Sequence, residues 1–346
     1  MKKRELVAGY EISPVIKGGW QLSSGHSLNL QIQEQDAISD MISYIEAGIT
    51  TFDFGDIYTG VEELIGKALL QLSQKMGVNA REKVQLHTKY VPNETFLKDF
   101  DSSDATNIVN RSLARLGVDQ VDIVQLHWWR YEDRHYLTAL ETLFRLKEQG
   151  KIGNVGITNF DLTRLEEMVA AGLKPAVHQI QYSMLDRRAE QGMSQFCIEN
   201  EIGILCYGTV AGGFFSEKFL ESNEPTQVET RSNVKYQIII DEFGGWELFQ
   251  ALLRVCKNIA DSHETDIGTI ASAWVLARPA VKGVIVGARN TSHINSNVKI
   301  PQIIFTSHEL DAINNLLAQS KGPTGPVYDL ERYSEKHRKI MHTNNN

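Results

Sequence analysis

Short β-branched apolar runs alternate with amphipathic helical stretches along nearly the whole chain, and this alternation constrains the fold more than any single residue. Val84–Leu86, Val121–Leu126, Ile152–Ile157, Val177–Ile180, Ile202–Cys206 and Val284–Val286 are bounded by turn residues, as buried parallel strands are. Between them lie helical stripes: Ala37, Met41, Tyr44 and Ile45 before Gly48; Leu64, Ile65, Ala68, Leu69 and Leu72; Ile108, Val109, Leu113 and Leu116 before Gly117. Asp266 stands as the cap of a helix carrying Ile267, Ile270, Ala271, Trp274 and Val275. Further strands near Val15–Lys17 and Ile49–Asp53 bring the count to eight, the number that closes a (β/α)8 TIM barrel. No G-x-G-x-x-G follows the first strand, which argues against an open doubly wound sheet. The expectation is one α/β barrel domain over residues 1–346. Ser216 to Glu242 reads as a long loop after the seventh barrel strand, followed by an extra helix at Trp246–Ala260. The Gly- and Pro-punctuated tail from about residue 318, which ends Thr343-Asn-Asn-Asn, is expected to be peripheral.

Composition narrows the partners. At 42% apolar and 23% charged residues the chain can bury a large core. Its net charge is -8, and no long basic stripe appears, so nucleic acid is not an expected partner. Cys197, Cys206 and Cys256 lack C-x-x-C spacing, which speaks against a disulfide framework or a zinc site and for a reducing cytoplasm. The histidines show no metal spacing either. Met1-Lys2-Lys3-Arg4 has the look of a signal-peptide start, but Glu5, Glu11 and Lys17 interrupt any apolar run, so no membrane segment is expected.

Four residues fall at or near the expected carboxyl ends of successive strands: Asp53, Tyr58, Lys89 and His127. In such a barrel these ends converge on one mouth, so distant positions share a pocket. Each has a structural alternative: a buried tyrosine at a helix entry, a solvated lysine, a hydrogen-bonded core histidine, a capping aspartate. Their joint placement favours chemistry. A phenol backed by a lysine and a carboxylate is a proton donor tuned toward neutral pH, and an imidazole beside it orients a carbonyl oxygen. Trp20, Trp128 and Trp129 stand next to these positions as a candidate apolar lining for a small carbonyl substrate.

Longer motifs carry a family resemblance. Ala47-Gly-Ile-Thr-Thr-Phe-Asp53-x4-Tyr58, then Ser112-Leu-Ala-Arg-Leu-Gly-Val-Asp-Gln-Val-Asp-Ile-Val-Gln-Leu-His127-Trp128, resemble the aldo-keto reductase superfamily. So do Gly153-Asn-Val-Gly-Ile-Thr-Asn159-Phe160, Pro175-Ala-Val-His-Gln179-Ile-Gln-Tyr182, Gly203-Ile-Leu-Cys-Tyr207-Gly-Thr-Val and Val284-Ile-Val-Gly287-Ala-Arg289-x7-Asn297. The matches run in family order from about Lys17 to Asn297. The resemblance implies Tyr58 as general acid, Lys89 lowering its pKa, Asp53 holding Lys89, and His127 positioning the carbonyl. It implies an NADP cofactor (NADPH), NAD being an alternative, with Thr158, Asn159 and Gln179 at the nicotinamide carboxamide and Tyr207 stacked on the ring. The loop opening at Gly208, with Val210, Gly212, Gly213, Ser216 and Lys218, would carry the pyrophosphate. Gly19, Gly287, Arg289 and Asn297 complete the expected cofactor contacts, Arg289 pairing with a ribose 2′-phosphate.

The chain departs from the family pattern in three places. Tyr207-Gly-Thr-Val replaces the usual Tyr-Ser-Pro-Leu, His293 and Ser296 stand where many members place Arg and Glu, and Trp129 takes a place where proline is common. Two further readings stand beside carbonyl reduction. One is a cofactor-binding, redox-sensing regulatory subunit with slow turnover. The other is an aldolase using Lys89 as a Schiff base.

Overall fold

Eight strands close on themselves in parallel: β3 (Val15–Gly18), β4 (Thr51–Asp53), β5 (Gln85–Tyr90), β6 (Val121–Leu126), β7 (Ile152–Thr158), β8 (Val177–Gln181), β9 (Gly203–Tyr207) and β10 (Val281–Gly287). A computed structural model describes residues 1–23, 33–77, 79–228, 230–287 and 289–340; Ala288 of the Gly287-Ala-Arg289 motif and the terminal Thr343-Asn-Asn-Asn lie outside them. Each strand pairs with its sequence neighbour, and β10 returns to β3 with Val284 opposite Val15 and Gly287 opposite Gly18. Both faces of the strands are buried, one by the barrel interior and one by the helices, so they read as near-continuous apolar runs. The (β/α)8 barrel expected from the alternation is the architecture found.

Helices α1 (Glu34–Glu46), α2 (Val61–Met76), α3 (Ser102–Leu116), α4 (Tyr136–Glu148), α5 (Leu162–Ala170) and α6 (Met193–Glu199) connect the successive strands from β3 to β9. Their ends follow local chemistry. Asp101 accepts from the Ser103 amide at 3.0 Å to open α3, and Gly117, at φ 67°, closes it. After β9 come α7 (Arg231–Phe243), α8 (Trp246–Ser262) and α9 (Ile267–Leu276). Asp266 caps α9 by accepting from the Thr269 amide at 2.7 Å. The expected unstructured stretch from Ser216 to Glu242 is thus corrected: its second half is a helix. Tyr236, Ile239, Ile240 and Phe243 form its buried side, a stripe interrupted by enough polar residues to hide the period.

Two parts lie outside the barrel plan. A hairpin of β1 (Arg4–Val7) and β2 (Tyr10–Ile12) plugs the amino-terminal end: Leu6 and Ile12 pack with Ile16, Ile123, Val177, Leu205 and Ile285. Beyond β10 follow α10 (Ile294–Asn297), α11 (Ser307–Leu317), α12 (Asp329–Tyr333) and α13 (Glu335–Arg338). The tail is not peripheral as expected. Val327, Tyr328, Glu331, Arg332 and His337 are all buried, and the Arg332 guanidinium donates to the Trp128 carbonyl at 2.8 Å. No helix among the described residues is long and apolar enough to cross a membrane.

Candidate active site

Asp53 ends β4, Lys89 lies at the end of β5 and His127 follows β6 directly. The parallel register brings these ends to one mouth, where a cavity of about 850 Å³ opens. Asp53, Tyr58, Lys89 and His127 all line it. Lys89 Nζ donates to Asp53 Oδ2 at 2.6 Å and to the Phe54 carbonyl at 2.7 Å. Asp53 Oδ1 accepts from Gln179 at 2.6 Å and Gln125 at 3.1 Å, so this buried carboxylate is fully engaged. The Lys89 ammonium sits 5.3 Å from the centre of the Tyr58 ring. Trp20 packs against the same ring at a tilt, with centroids 5.0 Å apart.

The electrostatics differ from expectation in one respect. Burial, then the Asp53 and Asp56 carboxylates, hold the Tyr58 hydroxyl above its ordinary value, so the expected lowering by Lys89 is outweighed. The reason is burial, the largest cause, to which the Asp53 carboxylate adds. Burial also lowers the Lys89 ammonium, against the pull of Asp53. His127 is pushed down to about 3, first by burial and second by the Arg332 cation. A neutral imidazole has one donor nitrogen, and both His127 nitrogens are buried without a hydrogen-bond partner among the described residues.

The tryptophans separate. Trp20 and Trp129 line the cavity, Trp129 standing edge-on to His127 with centroids 4.3 Å apart. Trp128 is fully buried, donates its indole N–H to the Asp133 carbonyl at 2.6 Å and faces Phe100 and Tyr136 instead. Its expected place in the substrate wall is therefore corrected. Adjacent positions leaving a strand end point to opposite sides, and only one can face the mouth.

The other expected contacts, Gly19, Thr158, Asn159, Gln179, Tyr207, Gly208, Val210, Gly212, Ser216, Lys218, Gly287, Arg289 and Asn297, also line the cavity. Tyr207 donates to Asn159 Oδ1 at 2.8 Å, and Asn159 holds a left-handed backbone, φ 64°, at the end of β7. Thr158 Oγ1 is buried with no hydrogen-bond partner among the described residues. The glycine loop needs a different account from the one expected. A Cβ on Gly208 would lie 2.1 Å from the Tyr236 hydroxyl, and one on Gly212 would lie 2.8 Å from the same ring. The side chain admitted there is Tyr236 of α7, while Gly213 faces open space. Arg289 is exposed and lines the cavity.

The family model described as "Aldo/keto reductase family" matches residues 14–318. The chain belongs to that family. Among its relatives is "Probable aldo-keto reductase 1" of Glycine max, 26% identical over 342 residues, with 95% of this chain and 92% of that protein covered. The "NADH-specific methylglyoxal reductase" of Escherichia coli is 25% identical over 298 residues, covering 81% and 87%. The crystal structure of the thermostable aldo-keto reductase Tm1743 with the inhibitor epalrestat superposes with a TM-score of 0.72 at 26% identity, covering 91% of this chain and all of that one.

This aldo/keto reductase also carries site residues that sequence reasoning missed. Gln125 had a readable signal, a lone amide inside the apolar run Val121–Leu126. Lys235, Tyr236 and Tyr328 line the cavity from α7 and the tail, and nothing in their spacing pointed to the mouth.

Proposed function

We propose that the protein reduces an aldehyde or ketone to the alcohol with NADPH, NADH serving less well, and that Tyr58 supplies the proton. The observation that carries this reading is the meeting of Tyr58, His127 and the Asp53–Lys89 pair in one buried cavity. A reduced nicotinamide, when bound, supplies the hydride. The residues present fit that cofactor: Thr158 Oγ1 is buried without a partner among the described residues, and the next residue, Asn159, is bonded to Tyr207. Thr158 and Asn159 would hold the carboxamide, Tyr207 the ring face, and Arg289 the 2′-phosphate. Gln179 is the exception, because its side-chain nitrogen is engaged with Asp53 and Gln125.

The protein's own groups divide the remaining work. Neutral His127 donates a hydrogen bond that orients the carbonyl oxygen. Tyr58, kept protonated by its burial, donates its proton to the oxygen as negative charge develops there. Lys89 lies behind the ring, where its ammonium stabilises the phenolate left by that transfer, and Asp53 holds the lysine in place. Trp20 and Trp129 wall the mouth with apolar surface and exclude water. The three cysteines are free and buried, in keeping with a reducing cytoplasm.

The test is to follow NADPH and NADH absorbance with purified protein against a panel of aldehydes, ketones and sugars. Multiple turnovers with at least one carbonyl class are expected, faster with NADPH. Cofactor binding without turnover on any carbonyl would sink the reading and favour a redox-sensing role.

A further inference from the structure

A buried ionic quartet joins α7 and the tail to the barrel beside the mouth. Arg188 grips Asp186 through two hydrogen bonds, of 2.9 and 2.7 Å, and Glu331 through two more, both 3.1 Å. Lys235 Nζ approaches the same Glu331 only to 3.5 Å. Glu331 is held well below the usual carboxylate range, at about 2, against the cost of burial, by Lys235 and Arg188. Of these four groups Lys235 alone borders the cavity. Its ammonium has three donors and, among the described residues, one long ion-pair contact, since the good acceptor geometry of Glu331 goes to Arg188.

The surroundings of that ammonium are aromatic. Nζ stands 5.3 Å from the ring centre of Tyr207 and 5.7 Å from those of Tyr236 and Tyr328. The Tyr328 ring in turn lies edge-on to His127, centroids 5.7 Å apart. One tyrosine ring therefore separates the carbonyl-orienting imidazole from a cavity-facing cation. Tyr328 is held there in a left-handed conformation, φ 62°, which a non-glycine residue adopts at some cost. At the other side of the mouth the Lys89 charge is already matched by Asp53 at 2.6 Å, so it offers no comparable anchor.

We propose that Lys235 anchors an anionic group of the substrate, so that the enzyme favours carbonyl compounds bearing a carboxylate a few carbons from the C=O. The inference rests on the carbonyl-reductase reading above and names its substrate class. With the carbonyl oxygen at Tyr58 and His127, a carboxylate reaching past Tyr328 meets the ammonium and takes up its unused donors. A neutral substrate leaves them unused and gains nothing from the cation.

The probes are succinate semialdehyde and its methyl ester, which differ in that one charge, each assayed with NADPH. The unmodified protein should show kcat/KM about tenfold higher for the acid, the scale of one charge-assisted hydrogen bond. Lys235→Met should erase that preference mainly by raising KM for the acid, and Lys235→Arg should keep most of it. Binding of NADPH, followed by fluorescence, should change less than about threefold in Lys235→Met, well short of the tenfold scale. An unmodified protein that reduces the ester as well as the acid would overturn this inference alone, whatever the variants do. Equal losses on both substrates, or a matching loss of NADPH affinity, would overturn it too by assigning Lys235 to the cofactor. Reduction of neither probe nor any other carbonyl would remove the carbonyl-reductase reading, and this inference with it.

Discussion

Gln179 donates to Asp53 at 2.6 Å across 126 positions of chain, tying the middle of β8 to the end of β4 through the barrel interior. Gln125 of β6 donates to the same Asp53 oxygen at 3.1 Å, and Lys89 takes the other. Donors from three strands, β5, β6 and β8, thus converge on one carboxylate. The site is preorganised by a buried polar network whose members satisfy one another.

Tyr58→Phe should fold normally, bind NADPH and lose carbonyl reduction by about a hundred- to ten-thousand-fold, the usual scale of general acid catalysis. Steady-state rates beside a fluorescence titration of the cofactor check both halves. Turnover near that of the unmodified protein would remove Tyr58 from the mechanism.

Lys89→Met should cost at least as much turnover as Tyr58→Phe, because it removes the cation that stabilises the phenolate. Asp53→Asn should be milder in rate yet lower Tm clearly, since it also disturbs Gln125 and Gln179. Removing one partner of a buried ion pair costs about 3–5 kcal/mol in general. If Asp53→Asn left Tm unchanged while Lys89→Met stayed active, the network would have neither role.

Arg289→Ala should raise KM for NADPH and leave KM for NADH nearly unchanged, because a guanidinium grips a phosphate bidentately and has no comparable use for a hydroxyl. His293 lines the same end of the cavity and retains part of the preference. Equal losses with the two cofactors would show that Arg289 does not read the phosphate.

Acid should destabilise the fold through three buried imidazoles. Burial pushes His87, His127 and His178 each down to about 3, against 6.5 for an exposed histidine. These folded values lie below the unfolded one, so in that window the unfolded chain binds more protons. The stability they contribute is present above about pH 6.5 and is lost as pH falls toward 3. Calorimetry should show Tm dropping across that range. His178 accepts from the Phe160 amide at 3.1 Å, and His178→Asn should flatten the slope. A profile unchanged by that substitution would assign the acid sensitivity elsewhere.

The alternation of strand and helix was legible in the chain itself because each element carries its own period: β-branched runs such as Val121–Leu126 for strands, stripes such as Ile108, Val109, Leu113 and Leu116 for helices. Eight such strands determine the barrel, and the barrel determines that Asp53, Lys89 and His127 share a mouth. Local pattern could not say which way Trp128 and Trp129 turn, since both follow a strand end and only packing separates a core indole from a pocket wall. Nor did it mark α7, whose apolar stripe is diluted by polar residues, or the tail, whose Gly- and Pro-punctuated sequence reads as peripheral. Glu331 and Arg332 are buried because Arg188 and the Trp128 carbonyl, some 143 and 204 positions away in sequence, receive them. A charge is buried only where a partner repays its desolvation, and that partner is supplied by the tertiary structure alone.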